Sequence, residues 1–471
     1  MANAYWKRKM TDDLAVFHLF FRRQPFNGGY CIAAGLESII DYLNKWHFET
    51  SDLDYLSTLK ADGGDPLFEE GFLTYLSKMK FSCDIDAVNE GEVVFPFEPM
   101  LRVTGPILQA QILESPLLTL MNFASLIATK AARMCSAAKG DDVIEFGLRR
   151  AQGTDGALTA SRSCYVGGCS ATSNTLAGKL FNIPVKGTHA HSWVMAFETE
   201  LESFQAYAEA MPHNVVFLVD TYDTIKGVKN AIKVGKWLKK QGRSLLGIRL
   251  DSGDLNFLSN QARKLLDDAG FCDTHILVSN ELNEMLIADL KQQGAKVTLW
   301  GVGTHLVTGQ SQSALDGVYK LSAIKKKGET TWKHRLKFSE QMTKISDPGI
   351  LQVRRYRDPI HGYVADAIYD IHTDLSDGYK IVDPLDPTRY RKLDPKLSSQ
   401  DLLVPIFRDG KAVYTSPPLD QIRAYAKAQL SLFDASIKRF YNPHLYPVGM
   451  ESSLYQSKLK LVKQIKEKTT K

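Results

Sequence analysis

Between Val143 and Thr304 the chain alternates short apolar runs with helical runs, and most of the apolar runs end in polar or glycine clusters. Val143–Phe146 leads into Gly147-Leu148-Arg149-Arg150, and Ile183-Pro184-Val185 into Gly187-Thr188-His189-Ala190-His191-Ser192. Val215–Val219 leads into Asp220-Thr221-Tyr222-Asp223, and Leu245–Ile248 into Arg249-Leu250-Asp251-Ser252-Gly253-Asp254. Ile276–Val278 leads into Ser279-Asn280, and Val297–Trp300 into Gly301-Val302-Gly303-Thr304. Strands buried on both faces of a parallel sheet read as such apolar runs. Polar groups collected at their carboxyl ends are how a β/α barrel builds one active site from many strands. The pattern therefore predicts an enzyme. An open doubly wound sheet has the same periodicity, but it concentrates its ligand at one switch point, and the wide spread of polar ends favours a barrel.

Helices are predicted over 203–210, 224–241, 256–269 and 282–293, with Gly242, Gly270 and Gly294 placed to end the last three. Ahead of them, 117–138 reads as a helix rich in Leu, Ala and Met. The first 125 residues are mixed. Phe17–Phe21 reads as a strand, and 31–46 as a helix with Leu36, Ile39, Ile40 and Leu43 on one face. A helix over 73–79 and strands at 93–96 and 101–103 follow. Beyond Tyr319 come strand-like pieces at 317–324 and 349–356, Asp-Pro turns, and a long helix over 420–440. The basic tail from Lys458 to Lys471 reads as a solvated helix end with Leu459, Val462 and Ile465 on its apolar face.

At 471 residues the chain exceeds one ordinary core, which calls for two or three structural units. The expected division is 1–125 as the first part of a mixed domain, 126–325 as the barrel, and 326–471 packing with the first part. A net charge of +5 spread along the chain gives no nucleic-acid stripe, only a weak preference for an anionic ligand. Six cysteines with no Cys-x-x-Cys pair fit reduced thiols in a cytoplasmic protein. Tyr5-Trp6-Lys7-Arg8-Lys9 is not followed by an apolar core of a leader. No apolar run approaches the roughly 20 residues needed to span a bilayer, so no membrane association is expected.

Several residues offer chemistry, each with a plainer alternative. Gly301, Gly303 and Thr304 suggest a phosphate cradle, where glycines let backbone N–H groups reach an anion; a strand-ending turn is the alternative. Arg149, Arg150 and Arg249 can take a carboxylate or phosphate at two points, or can form ion pairs with Asp220, Asp251 or Glu145. Asp220 and Asp251 are candidates for Mg²⁺ or a ribose diol, whereas Asp223 and Asp254 stand where helix caps belong. His189 and His191, two apart, would face one side of a strand, and nucleophile, acid–base and metal roles stay open for them. Together these residues describe a barrel enzyme for a phosphorylated, sugar-bearing anion, with Mg²⁺.

The motifs, in this order, resemble the nicotinate phosphoribosyltransferase family over nearly the whole chain. The resemblance is carried by Phe20–Tyr30, Glu90–Pro96, Asn122–Arg133, Glu145–Gly153, Gly187–Trp193, Val219–Thr224, Arg249–Asp254 and Gly301–Thr304. Gly317–Leu321, Lys337–Ser339, Pro348-Gly349 and Tyr446–Val448 continue it. It implies an irregular β/α barrel of the type II phosphoribosyltransferase kind, flanked by a mixed α+β domain built from both chain ends. It also implies a homodimer with its sites at the subunit interface. The implied reaction joins nicotinate to phosphoribosyl pyrophosphate, with ATP hydrolysis coupled and Mg²⁺ required, in NAD salvage. The nearest rival on the same fold takes the amide, and the Arg149–Gly153 and Gly187–Trp193 blocks favour the acid.

Carried over by position, His191 is the phosphorylated histidine with Ser192 beside it. Arg149 and Arg249 lie near the pyridine ring and its carboxylate, and Asp220 near the pyridine–ribose junction. Gly301, Gly303 and Thr304 hold the 5′-phosphate, with Asn280 on the same rim. Gly187 and Asp251 join the substrate contacts, and Lys337 and Ser339 reach over the phosphates. The family's opening motif, Thr-Asp-x-Tyr-x-x-Thr-Met, would precede Tyr5-Trp6. Its Tyr, expected to stack on the pyridine ring, then falls ahead of Met1: either the true start lies further upstream or the chain is a truncated form, and a truncated form is expected to bind nicotinate less tightly. Asp316 stands before Gly317 where the family has a Gly-Gly pair, and its carboxylate is expected to weaken phosphate binding.

Overall fold

The computed structural model describes residues 1–375 and 379–469. These divide into two compact units. One comprises Met1–Ser125, Ala314–Pro418 and Tyr425–Lys471; the other comprises Leu126–Ser313 and Leu419–Ala424. The strand Val318–Lys325 pairs with Leu14–Phe20, so it belongs to the first unit and not, as expected from the sequence, to the barrel.

Among the described residues the first unit holds a seven-stranded antiparallel sheet. Leu14–Phe20 lies inside it, between Val318–Lys325 and Leu101–Pro106, and so joins the first part of the chain to the segment that follows residue 313. A second, six-stranded sheet has Leu351–Asp358 and Gly362–Asp370 as its longest strands. Cys31–Ile32 forms a short strand with Val93–Val94, and the helix expected over 31–46 is confined to Leu36–Asn44. The helix expected over 420–440 ends at Ser431. In the last helix, Ser452–Thr469, Lys458 is buried against Asp347 at 2.6 Å, so it is not part of a solvated tail.

Arg355 is a fully buried charge of this unit. It lies between two carboxylates, Asp366 and Glu92, and also donates to the Val93 carbonyl at 2.7 Å. The rings of Phe95, Tyr363 and Phe433 surround the guanidinium at 5.7, 5.1 and 5.1 Å. A guanidinium is the cation best suited to such a place, since its planar fork meets carboxylates and its faces meet rings.

The second unit contains six parallel strands in the spatial order Ala171–Thr172, Asp142–Glu145, Leu299–Val302, His275–Val278, Gly247–Leu250, Val216–Leu218. The expected run at 183–185 contributes only a single bridge, Val185 to Thr172, because Pro184 lacks the N–H a ladder needs. Helices Thr224–Lys240, Leu255–Asp268 and Glu284–Gln292 connect the strands. Asp223, Asp254 and Asn283 cap them by accepting from Lys226 N, Phe257 N and Leu286 N. The fold is therefore an irregular β/α barrel: at one edge Leu218 donates its N–H to the His189 ring, at 3.2 Å, instead of to a neighbouring strand. Among the described residues, no helix is long and apolar enough to cross a membrane.

Replacing Arg355 with Ala should lower stability by about 3–5 kcal/mol, because it strands two buried carboxylates. Urea titration of the wild type and the variant measures this; an unchanged midpoint would show that the pair is dispensable.

Candidate active site

The carboxyl ends of the parallel strands converge on Arg249. Its Nε donates to Ser279 Oγ at 2.8 Å, one terminal nitrogen to Thr188 Oγ1 at 3.0 Å, and the other to Asp251 Oδ1 at 2.9 Å. The guanidinium also lies 5.6 Å from the centre of the Phe146 ring. One side chain thus joins the ends of Asp142–Glu145, Gly247–Leu250 and His275–Val278 to the loop before His191. The ion-pair alternative for Arg249 is realised with Asp251, and both groups remain only partly buried.

Asp220 stitches the next pair of ends together. Its Oδ2 accepts from Asp251 N at 2.7 Å and Ser252 Oγ at 2.8 Å. Its Oδ1 is buried with no hydrogen-bond partner. Burial alone would push the Asp251 carboxyl up, but the Ser279 hydroxyl, Arg249 and His191 together hold it below the ordinary range. Asp251 therefore stays ionised at neutral pH.

His191 begins a short helix, His191–Met195, and its side chain is half-exposed. Its Nδ1 meets Thr221 Oγ1 at 3.1 Å, and its Nε2 stands 3.8 Å from Asp251 Oδ2. Ser192 and Gly187 are exposed beside it. His189 does not share its side, contrary to the strand-based expectation, because the chain turns into the helix at Ala190. The His189 ring sits among Phe204, Tyr207 and Phe217, with centroid distances of 5.9, 4.9 and 6.2 Å. Burial pushes its pKa down to about 4, so the ring is neutral. Because Nε2 accepts from Leu218 N, the ring proton resides on Nδ1, which faces the Ala190 carbonyl at 3.4 Å. This histidine is structural.

Gly301, Gly303 and Thr304 end the Leu299–Val302 strand. A Cβ on Gly301 would stand 2.7 Å from the Phe146 ring, so this glycine makes room for Phe146; around Gly303 a Cβ would meet only ordinary contacts. Thr304 Oγ1 donates to Glu281 at 3.3 Å, and Glu281 also lies 3.4 Å from His305. Asn280, exposed on the same rim, has a φ of +111°, an uncommon backbone state for a side-chain-bearing residue. Arg149 lies in the turn Leu148–Arg150 and points into solvent.

Lys337 and Ser339 belong to the first unit. Their loop is closed by Lys337 N donating to Ser346 Oγ at 2.8 Å and Ser346 N to the Lys337 carbonyl at 3.2 Å. Two cations not singled out from the sequence stand close by. Burial holds the Lys320 amine below its ordinary range despite Glu114, and Arg22 and Lys337 push it the same way. Arg22 Nε is buried without a hydrogen-bond partner. In the same unit Asp316 adopts the left-handed backbone, φ +60°, that glycine serves without strain. Gly317 is fixed by contact, since a Cβ there would reach Asn122 Oδ1 at 2.0 Å. A cavity of about 750 Å³ in this unit, against Tyr42, Trp46, Phe48 and Tyr55, involves none of the candidate residues.

Thr188, Thr221, Ser279 and Phe146 also orient the site; all four stand in the strand-end runs read from the sequence, but none was taken from them as a candidate.

An irregular parallel β/α barrel with arginine, aspartate and a glycine loop at its strand ends, and a separate mixed unit built from both chain ends, is the fold of the type II phosphoribosyltransferases. A solved nicotinate-nucleotide pyrophosphorylase from Pyrococcus furiosus shares it, with a TM-score of 0.68, 21% identity and 92% of each chain covered. Family models described as the nicotinate phosphoribosyltransferase N-terminal domain, family and C-terminal domain match residues 1–122, 142–350 and 351–458. Nicotinate phosphoribosyltransferase of Bacillus subtilis is 40% identical over 99% of this chain and 94% of its own length. That of Homo sapiens is 31% identical over 96% and 93%. The crystal structure of the human nicotinic acid phosphoribosyltransferase superposes with a TM-score of 0.85, covering 98% of both chains at 30% identity. The chain belongs to the nicotinate phosphoribosyltransferase family.

The lowered pKa of His189 fixes the sign of a pH effect. The unfolded chain binds a proton near pH 6.5 and the folded one only near 4, so this group's contribution is complete above about 6.5 and is lost as pH falls toward 4. Thermal melts from pH 7 to 4 should show that loss in the wild type. A His189→Gln variant should be less stable at pH 7 with a flatter profile; parallel profiles would refute the assignment.

Proposed function

We propose that this protein joins nicotinate to phosphoribosyl pyrophosphate, releasing nicotinate mononucleotide and pyrophosphate, as a step of NAD salvage coupled to ATP hydrolysis. The observation that carries this reading is the convergence of Arg249, Asp251, Asp220 and His191 on one rim, with a buried aspartate oxygen left unpaired there.

Arg249 and Arg149 recognise the carboxylate of the aromatic acid. Arg249 is already oriented by three acceptors and a ring, so it loses little freedom on binding. The pyridine nitrogen attacks C1′ as pyrophosphate leaves, and positive charge grows at C1′. The unpaired oxygen of Asp220 lies in a carboxylate held rigid by Asp251 N and Ser252, which suits it to stabilise that charge. Gly301, Gly303 and Thr304 hold the 5′-phosphate, with Asn280 on the rim and Gly187 and Ser192 lining the approach. In the first unit Lys337, Lys320 and Arg22 form a group of cations with one unpaired donor, with Ser339 on the same loop as Lys337, and such a group suits a polyanion.

His191 accepts the terminal phosphoryl group of ATP on its imidazole, ADP leaves, and water later cleaves the nitrogen–phosphorus bond. Thr221 and Asp251 address its two ring nitrogens and set the ring's direction. Among the described residues, no three His, Cys, Asp or Glu side chains gather to hold a metal ion by themselves. Mg²⁺ is ordinarily held by one or two carboxylates together with substrate phosphates. Asp220, with its unpaired oxygen, and Asp251 fit that arrangement. When bound, Mg²⁺ would neutralise the departing pyrophosphate.

We also propose a homodimer, since Leu176 and Leu180, one turn apart on the helix Thr175–Phe181, expose 48% and 56% of their surface. We further propose a cytoplasmic location, in keeping with diffusible, phosphorylated substrates; fractionation of cells with an antibody to the protein tests it.

Pyrophosphate release from nicotinate and phosphoribosyl pyrophosphate, measured with and without ATP, tests the reading. Wild type should be stimulated by ATP and silenced by chelating Mg²⁺. The His191→Ala variant should lose the stimulation, and equal stimulation would remove His191 from its role. Leu180→Lys should shift the sedimentation velocity of the protein toward monomer; an unchanged dimer would exclude this helix from the interface.

A further inference from the structure

The turn that carries Arg149 hangs on a carboxylate to which nothing above gives a part. Glu145 ends its strand with 1% of its surface exposed. One of its oxygens accepts the Gly147 N–H. The other accepts the hydroxyls of Ser161, at 2.9 Å, and Thr172. Both hydroxyls are in turn fixed by Asn174, whose side chain reaches Ser161 Oγ at 3.3 Å and whose N–H reaches Thr172 Oγ1 at 3.0 Å. A helix, an edge strand and a cap residue therefore converge on one buried carboxyl group.

That side chain sets the path of the next five residues. Gly147 is pressed so closely on the helix Thr304–Val307 that a Cβ would lie 2.3 Å from Val307 Cγ1. Phe146 N donates to the Val302 carbonyl at 2.7 Å, and the Phe146 ring lies beside Gly301 and under the Arg249 guanidinium. Leu148–Arg150 then follow as a single tight turn. A shift of the turn would move Phe146, and with it the platform of Arg249, together with Arg149. Both cations of the acid-recognition side depend on where Gly147 N is held.

We propose that Glu145 is a positioning residue for recognition of the aromatic carboxylate, acting through Phe146 on Arg249 and through the turn on Arg149. The proposal rests on the substrate reading above. It gives the enzyme's preference for an acid over its amide a source outside the residues that touch the ligand.

The test uses Glu145→Gln, which preserves size but replaces an acceptor with a donor, and Ser161→Ala, which leaves Glu145 in place and removes one support. Glu145→Gln should raise the KM for nicotinate roughly tenfold, the scale of one charged hydrogen bond, with the KM for phosphoribosyl pyrophosphate changed less than about twofold. The nicotinate-to-nicotinamide ratio of kcat/KM should fall in parallel, and Ser161→Ala should do the same more weakly. In an Arg149→Ala background the effect of Glu145→Gln should shrink, because coupled residues are not additive. Amide hydrogen exchange over residues 146–151 should quicken in Glu145→Gln whatever the substrate is. Unchanged exchange and unchanged KM in a folded variant would overturn the proposal. So would an equal loss toward both substrates that follows the melting temperature. Faster exchange with no nicotinate turnover even in the wild type would instead overturn the substrate reading and leave the anchoring standing.

Discussion

The site depends on one guanidinium being held still. Arg249 donates to Ser279, Thr188 and Asp251 and lies over Phe146, so four segments far apart in sequence meet at a single cation. A parallel sheet imposes this. Its strands all release their chains at the same edge, so residues one or two past each strand end become neighbours. An arginine there has enough donors to bind three partners at once. Asp220 repeats the arrangement with the opposite sign, accepting from Asp251 N and Ser252. The rim is a network of alternating charge in which each group limits the freedom of the next.

What the sequence made legible follows from this architecture. The runs at 143–146, 215–219, 245–248, 276–278 and 297–300 are apolar because both faces of their strands are covered, and all five overlap strands of the parallel sheet. The residues just past them form the rim for the same reason. Asp223 and Asp254 were readable as caps, since a capping carboxylate needs only local geometry. The first unit was harder to read. Its central pairing, Leu14–Phe20 with Val318–Lys325, spans some three hundred residues, and no local pattern announces a partner at that distance.

The misreadings share a cause as well. His189 and His191 were placed on one side because an alternating strand was assumed, yet the chain leaves extended geometry at Ala190 and sends one ring into an aromatic cluster and the other to the rim. Gly301, read as a place where backbone approaches a phosphate, also leaves room for the Phe146 ring, which lies beside Arg249, and no local pattern announced that second neighbour. Lys458 looked solvated in a basic tail and is buried against Asp347. In each case local composition was read correctly and the neighbour was supplied by tertiary structure.

The buried carboxylates of this protein divide by what satisfies them. Asp366 and Glu92 are neutralised by Arg355, and Glu145 is satisfied by an amide and two hydroxyls. Those groups are complete and hold structure. Asp220 is incomplete, with one oxygen fully engaged and the other buried and unpaired. Leaving a buried acceptor without a donor costs roughly 1–3 kcal/mol, and Glu98 and Glu200 each carry one such oxygen as well. Asp220 cannot rotate without releasing Asp251 N and Ser252, and with them the alignment of Arg249. The same contacts that build the rim therefore hold one Asp220 oxygen buried and unpaired beside Asp251 and Ser252, which is the feature the role proposed for it rests on.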